Sequence, residues 1–341
     1  MNILLLNNCG LGCIDIINYQ TASDALGTYR LILALLVLYS HSFGTIFGWN
    51  PGVVAVISFL MISGYVMTAL MSKNYPTARD IPAFYLDRAA RLYPQYLFYL
   101  CLTIILVATV GLQSDFVSDH RPASIALNFA ILPLGFYMFG LEHALYLPPA
   151  WSLGLEVSFY LFFPSFFLAN ERTKYMMAAA SVAVFLLAFS GSINTDWFGY
   201  RLLPGTFFIF AIGSWLARGN TRVALGATAL FATLLIVCLI PSIGVRSYNA
   251  EVALGGILGV FAVSSLTRLK RNRVDDYLGN ISYGVFLNHF MFIFIYQRYG
   301  IGLNLFLPVF SVLLSAATFE LVESPSIKWR RRLRQTPVNA L

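Results

Sequence analysis

From residue 31 to residue 321 the chain is a succession of apolar runs about as long as a bilayer core is thick, punctuated by short clusters of Lys and Arg. A helix crossing that core needs about 20 largely apolar residues. Ten runs answer to this, near 31–48, 53–71, 92–112, 151–168, 175–190, 202–217, 223–240, 251–267, 279–297 and 303–321. Only 11% of the 341 residues are charged and 58% are hydrophobic, whereas a soluble domain carries about 25% charged residues. Such a chain cannot clothe a water-facing surface, so the fold expected is all-α, a polytopic transmembrane helical bundle.

The basic clusters orient the spans. They lie at 73–91, 171–174, 218–222, 268–273 and 328–334. An eleventh apolar segment, "SIALNFAILPLGFYMFG" at 124–140, is interrupted by Pro133. If it crossed the membrane, the first basic cluster would face away from the other four. If it does not, all five fall on one side, which the positive-inside rule makes cytoplasmic. Ten helices with both termini cytoplasmic is therefore the expectation, with a re-entrant or interfacial element at about 124–140 inside an extracytoplasmic excursion. The expected divisions are an N-terminal cytoplasmic segment (1–29), one membrane domain (30–325) and a basic cytoplasmic tail (326–341).

The net charge of +7 follows membrane topology, not nucleic-acid binding. Cys9, Cys13, Cys101 and Cys238 do not form a ligand set, so no metal is expected. The opening "MNILLL" lacks a basic n-region, and insertion is expected to rely on the first span.

Within span one, "RLILALLVLYSH" sets Arg30 and His41 eleven residues apart. That separation is about 16 Å along a helix and returns to within about 20° of the same face. Arg30 falls at the cytoplasmic mouth and His41 near mid-membrane. An ionisable side chain at that depth faces a bundle interior or a wet cavity and marks function. The alternatives are a snorkelling anchor for Arg30 and a packing histidine for His41. A cation at one end and an imidazole that titrates near neutrality at the other suit a long substrate, anionic at one end and reactive at the other. A coenzyme A thioester fits that description.

Other residues join this axis. "RAAR" places Arg88 and Arg91 one turn apart on one face, suited either to phosphate or to simple anchoring. Glu156, in "PPAWSLGLEVSFYLFFP", lies one and a half turns inside Trp151. It could orient an imidazole, contact a sugar hydroxyl or lock two helices. Trp151 reads as an interface-belt residue or a cavity wall. Asn288 and His289, about ten residues into span nine, reach a similar depth. Ser63 and Gly64 in "MISGY" do so too, Gly64 permitting close approach of a helix or a ligand. His120 and His143 read as solvated loop residues, and Glu320 and Glu323 as partners of basic residues.

Taken in order, these motifs resemble the acyltransferase 3 family of integral-membrane acyltransferases, over about residues 24–325. The resemblance rests first on the Arg30, ten residues, His41 pattern and on Arg88-x-x-Arg91. "FLMISGY", "WSLGLEVSFYLFFP", "LGNISYGVFLNH" and "FELVESP" are similar to further family landmarks. It implies a ten-helix fold that takes an acyl group, usually acetyl, from cytoplasmic acyl-CoA to a carbohydrate hydroxyl outside. The location implied is the bacterial inner membrane. Acetyl-CoA would be a donor substrate rather than a resident cofactor, and the partners would be a saccharide acceptor, free or lipid-linked, and membrane lipids. The histidine matching His41 is implied to be catalytic, and the arginines matching Arg30, Arg88 and Arg91 to be needed for activity.

The chain departs from the family at Ile57, Val157 and Ser158, where many members carry acids or an amide, so those roles are not carried over. Without a fused soluble domain, the chain is expected to be a stand-alone version. Two other classes share the composition. A transporter or flippase for a lipid-linked glycan would move cargo without consuming thioester, using the mid-membrane histidine and glutamate as a proton relay. A glycan polymerase would depend on lipid-linked sugars and ignore acyl-CoA.

Overall fold

The computed structural model describes residues 25–240, 247–270 and 272–335, of which 330–335 are described as backbone only. The segment before residue 25, with Cys9 and Cys13, and the tail beyond residue 335 lie outside the described residues. All ten apolar runs coincide with helices. These are α1 (Gly27–Phe43), α2 (Pro51–Asn74), α3 (Ile81–Val110), α5 (Ala150–Leu168), α6 (Glu171–Phe189), α7 (Leu203–Leu216), α8 (Thr221–Cys238), α9 (Asn249–Leu266), α10 (Arg273–Arg298) and α11 (Phe306–Thr318). Two more, α4 (Pro122–Phe129) and α12 (Ser324–Gln335), complete the set. No strand forms among the described residues, only two isolated bridges.

Eight helical stretches are long and apolar enough to cross a membrane. The two remaining runs hold α1, of 17 residues, and α7, of 14, which fall short of that length. Burial divides the helices into a centre and a rim. In α2, 83% of the apolar window is buried, against 22% in α8 and 28% in α6. The rim helices turn bare apolar side chains outward, among them Leu187, Leu225, Ile236, Phe310 and Leu313. A belt of that kind is unstable in water and at home in lipid. The chain is a multi-pass membrane protein.

The first span ends earlier than its hydropathy suggests. Helix α1 stops at Phe43, because Gly44 takes a φ of 86° and Gly48 one of 81°. Between them Ile46 and Trp49 close a tight turn by mutual backbone hydrogen bonds. Asn50 then caps α2, its side chain accepting from the Gly52 and Val53 amides, with Pro51 in the first turn. His41, expected near the middle of a span, is therefore in the last turn of α1. The glycines and the proline outweigh the apolar residues between them.

No element within the 113–150 segment is long enough to cross a bilayer. The segment holds α4 and a 3₁₀ segment, Leu132–Phe139, each of eight residues. The 3₁₀ segment lies on α5 at backbone contact. A Cβ added to Gly154 would sit 2.1 Å from the Gly135 nitrogen. Asn128 knots the excursion together, its Nδ2 donating to the Ala144 carbonyl at 2.7 Å and its own carbonyl accepting from Tyr96 Oη at 2.6 Å. At its edge, hydrogen bonds from Arg121 and Ser124 hold the Asp119 carboxyl well below the usual carboxylate range.

Glycines set the spacing of the centre. The Phe210 carbonyl of α7 occupies the space beside Gly64 of α2, and the Met61 carbonyl of α2 the space beside Gly213 of α7. Small residues at such crossings let backbones approach where lipid supplies no hydrophobic drive. Helices α1 and α10 also pack together, running parallel. At one end Asp275 accepts hydrogen bonds from the Gly27 amide (2.8 Å), the Thr28 amide (2.7 Å) and Thr28 Oγ1 (2.7 Å). Fourteen residues further along each helix, His41 meets His289.

Gly64→Ala places a methyl 1.9 Å from the Phe210 carbonyl oxygen, so α2 and α7 must separate. The expected result is a clear fall in the thermal midpoint of the purified protein. Gly226→Ala in α8, with nothing within 4 Å, should leave it unchanged or raise it, since alanine is favoured over glycine in a helix by about 1 kcal/mol.

Candidate active site

Two chambers lie along α1, one at each end. The first is lined by Arg30, Arg88, Arg91, Ser63, Glu156 and Tyr160, among others. Helix α3 supplies Arg88 and Arg91, as their spacing predicts, but both are already engaged. Arg88 is ion-paired with its neighbour Asp87, and Arg91 with Glu323, which lies just beyond α11. Arg91 also lies 5.1 Å over the Tyr283 ring. Glu156 accepts from Ser63 Oγ at 2.7 Å and from Tyr160 Oη at 2.5 Å. Of the three arginines, Arg30 alone has a side chain with no hydrogen bond or ion pair to a described residue, and its Nε is buried without a partner. The chamber thus holds one unspent guanidinium beside two that are neutralised and fixed.

The second chamber contains His41. Its lining includes Ser40, Asn50, Trp151, Tyr200, Arg201 and Tyr248. His41 is accessible there, while His289 behind it is fully buried. The rings stack with centroids 5.2 Å apart, and His41 Nδ1 lies 3.0 Å from His289 Nε2. His289 Nδ1 lies 3.1 Å from the Val285 carbonyl. A carbonyl only accepts, so His289 carries its hydrogen on Nδ1 and its lone pair on Nε2. His41 must then donate from Nδ1. Its lone pair is left on Nε2, the nitrogen not engaged by His289. Two residues thus assign one tautomer to an accessible imidazole, which is what a base or a nucleophile requires.

The chambers share a wall made of Val56, Ser152 and Phe286, which line both. Those residues come from α2, α5 and α10, of which α2 and α10 pack against α1. Arg30 and His41 stand on opposite sides of it, about 16 Å apart along α1.

The structure therefore brings Arg30, Arg88, Arg91, Ser63 and Glu156 into one chamber and His41 and Trp151 into the other, with His289 against His41. Glu156 sits with the arginines, and the imidazole's partner is His289. Three residues read as possible cavity lining, Gly64, Asn288 and His289, do not line either chamber. Gly64 is filled by the α7 backbone. Asn288 is locked between α10 and α11, its Nδ2 donating to Ser315 Oγ (2.9 Å) and the Ser311 carbonyl (3.1 Å). Gly64 and Asn288 are consumed by helix packing, as polar and small residues in a bundle commonly are. His120 and His143 are exposed, with ring contacts to Tyr146 and to the Asp115 carbonyl.

Glu323 pairs with a basic residue as its place in the sequence suggests, but several site residues escaped the sequence reading: Tyr160, Asn50, Tyr200, Arg201 and Tyr248. For Arg201 a signal was present. "WFGYR" sets a cation among aromatics at the end of a span where positive-inside disfavours one.

Comparison with known proteins accords with this arrangement. The acyltransferase 3 family, described as an acyltransferase domain, matches residues 24–321. The chain is 29% identical over 186 residues to a protein of Aquifex aeolicus (strain VF5) whose name assigns no activity, covering 52% of this chain and 84% of that one. It is 23% identical over 333 residues to a Staphylococcus aureus (strain COL) protein named "Putative O-acetyltransferase", covering 82% and 54% respectively. It is 28% identical over 212 residues to O-acetyltransferase OatA of Staphylococcus aureus (strain NCTC 8325 / PS 47), covering 57% and 30%. The match thus spans about half, or less, of the length of these staphylococcal relatives. No solved structure matches the chain. With the family model covering most of its length, the chain belongs to the acyltransferase 3 family, and it is an acyltransferase of the membrane.

The buried Arg91–Glu323 pair gives a test of the first chamber's construction. Removing one partner of such a pair costs about 3–5 kcal/mol, whereas replacing both with apolar residues is often neutral. Glu323→Ala should therefore lower the thermal midpoint more than the Arg91→Met/Glu323→Leu double variant does.

Proposed function

We propose that the protein is a membrane O-acetyltransferase. It takes an acetyl group from cytoplasmic acetyl-CoA and delivers it to a hydroxyl of an extracytoplasmic saccharide. In this reading ten helices cross the bacterial inner membrane, both termini are cytoplasmic, and the arginine chamber opens to the cytoplasm. The observation that carries it is the single-tautomer imidazole of His41, accessible in a chamber walled off from the one that holds the unspent Arg30. The staphylococcal relatives' names point to the same chemistry.

The donor's phosphates meet Arg30, whose guanidinium has no competing partner, while the paired Arg88 and Arg91 frame the site. The pantetheine arm runs along α1 to the Val56, Ser152 and Phe286 partition and presents the thioester to His41. On one route Nε2 removes the acceptor's hydroxyl proton, the oxygen attacks the thioester carbon and the C–S bond breaks. The departing thiolate then recovers the proton from the imidazolium, giving CoA and the ester. On the other route Nε2 attacks the thioester carbon and CoA leaves as the thiolate; the acceptor oxygen then displaces the neutral imidazole, and its hydroxyl proton passes to the thiolate. Both require the lone pair on Nε2 and are served by His289, which receives the Nδ1 hydrogen as His41 becomes positive.

His41→Ala should lower CoA release from acetyl-CoA by at least about 10²-fold, the low end of what a positioned base contributes. His289→Ala should lower kcat while leaving the KM for acetyl-CoA near wild type, because His289 acts on the imidazole and not on the donor. Normal turnover by His41→Ala would sink the mechanism. If no saccharide fraction elicits thioester consumption from the wild type, the transporter reading displaces it.

Ser152→Phe adds a ring to the shared wall. It is expected to retain acetyl-CoA binding, measured by calorimetry, and to lose acetyl transfer.

A further inference from the structure

The acceptor side of the second chamber has a chemistry of its own. Arg201 ends a short π-turn, Trp197–Arg201, and its guanidinium is packed among aromatic rings. Its Cζ lies 4.7 Å from the centre of Trp151, 5.0 Å from Tyr200 and 5.6 Å from Tyr137. Its Nε donates to Asp196 Oδ2 at 2.6 Å. That ion pair is the one hydrogen bond of its side chain to a described residue, so its charge is matched while the two terminal nitrogens keep their N–H groups to donate. Asn50 is similar. Its Oδ1 is used to cap α2 and its backbone N–H donates to Glu251, while its Nδ2 makes no hydrogen bond to a described residue. The hydroxyls of Tyr200 and Tyr248 make none either. Trp151 and Tyr200 meet edge to face, 5.0 Å between centres, and Tyr200 and Tyr248 at 5.8 Å.

This wall combines flat aromatic surface with an excess of donors. No carboxylate is among the residues that line the chamber. A site for a neutral sugar has to accept hydrogen bonds from hydroxyls as well as donate them. Here the unspent groups are chiefly a guanidinium fork and an amide NH₂, which suit an oxyanion. The stacked guanidinium is held rigid by its rings and by Asp196, so its outer edge is preorganised for a two-oxygen partner.

Resting on the acyltransferase reading above, we infer that this chamber is the acceptor subsite and that it selects an acidic saccharide. One pyranose face lies on the Trp151, Tyr200 and Tyr248 wall, and a carboxylate or phosphate of the same glycan is gripped by Arg201. Asn50 Nδ2 assists, and the hydroxyl to be acylated is turned toward His41. Arg201 is a binding residue that sets acceptor choice and leaves the donor untouched.

The test uses the full chain in nanodiscs with [¹⁴C]acetyl-CoA and envelope glycans of the source organism, separated by anion exchange into unretained and retained fractions. Label should enter the retained glycan. Carbodiimide coupling to methylamine, which neutralises carboxylates, should abolish acceptor capacity if a carboxylate is gripped, and phosphatase should do so if a phosphate is. Arg201→Gln should raise the acceptor KM by about tenfold or more, the effect of losing a hydrogen bond to a charged group. The same variant should keep the wild-type KM for acetyl-CoA. If Arg201→Gln does not insert or fold, Arg201→Lys, which keeps the charge but not the fork, should show the same split.

Label in the unretained glycan, acceptor capacity that survives both treatments, or an acceptor KM within about twofold of wild type in the folded variant would each overturn the inference. Absence of acetyl-CoA turnover with every fraction is a different outcome. It defeats the acyltransferase reading itself.

Discussion

The carboxylate of Asp275 is the constraint on which the site depends. It receives the first two amides of α1 and the Thr28 hydroxyl, and so fixes where α1 begins against α10. The approach is close enough that a Cβ on Gly27 would lie 1.7 Å from the Asp275 carbonyl. From that point both helices run fourteen residues to the histidine pair. Fourteen residues are two heptads, the repeat over which supercoiled parallel helices keep the same faces together, and about 21 Å of rise. A slip of one residue in either helix would turn its imidazole by about 100°. The tautomer of His41 is therefore set at one end by a backbone carbonyl and at the other by a cap four turns away.

Much of the architecture was legible because hydrophobic length is a strong signal. Every one of the ten apolar runs became a helix, and the segment around Pro133 folded into two elements of eight residues each. The misplacement of His41 within α1 has a plain cause. "GTIFGWNP" contains apolar residues that hydropathy counts toward a span, but its glycines adopt left-handed φ values and its Asn-Pro starts the next helix. The Arg30–His41 spacing remained informative regardless, because both residues lie on one uninterrupted helix.

Side-chain partners were the less legible part. Glu323 was legible as the partner of a basic residue, but not which one, since Arg91 lies 232 positions away; Asp87, beside Arg88 in sequence, was not read as a partner at all. Asn288 and His289 are neighbours with similar depth in the sequence, and only packing tells them apart. One faces α11 and is consumed in a hydroxyl network, the other faces α1 and meets His41. Two of the contributing residues, Arg201 and Glu323, close short π-turns. Such turns insert a residue and rotate the side chains beyond it, so a helical wheel drawn on 3.6 residues per turn points both side chains the wrong way.

The partition of Val56, Ser152 and Phe286 bears on the energetics of the cell as well as on acyl transfer. On the proposed reading the two hollows open to opposite sides of the bilayer, and a continuous water path between them would leak protons. Val56, Ser152 and Phe286 stand where the hollows adjoin, two of them hydrocarbon and one a hydroxyl that donates to the Pro149 carbonyl. A water file has little to hold it there. In that proposed reading, group transfer across this wall asks only that a slender thioester arm reach it, and the electrochemical gradient across the bilayer is spared.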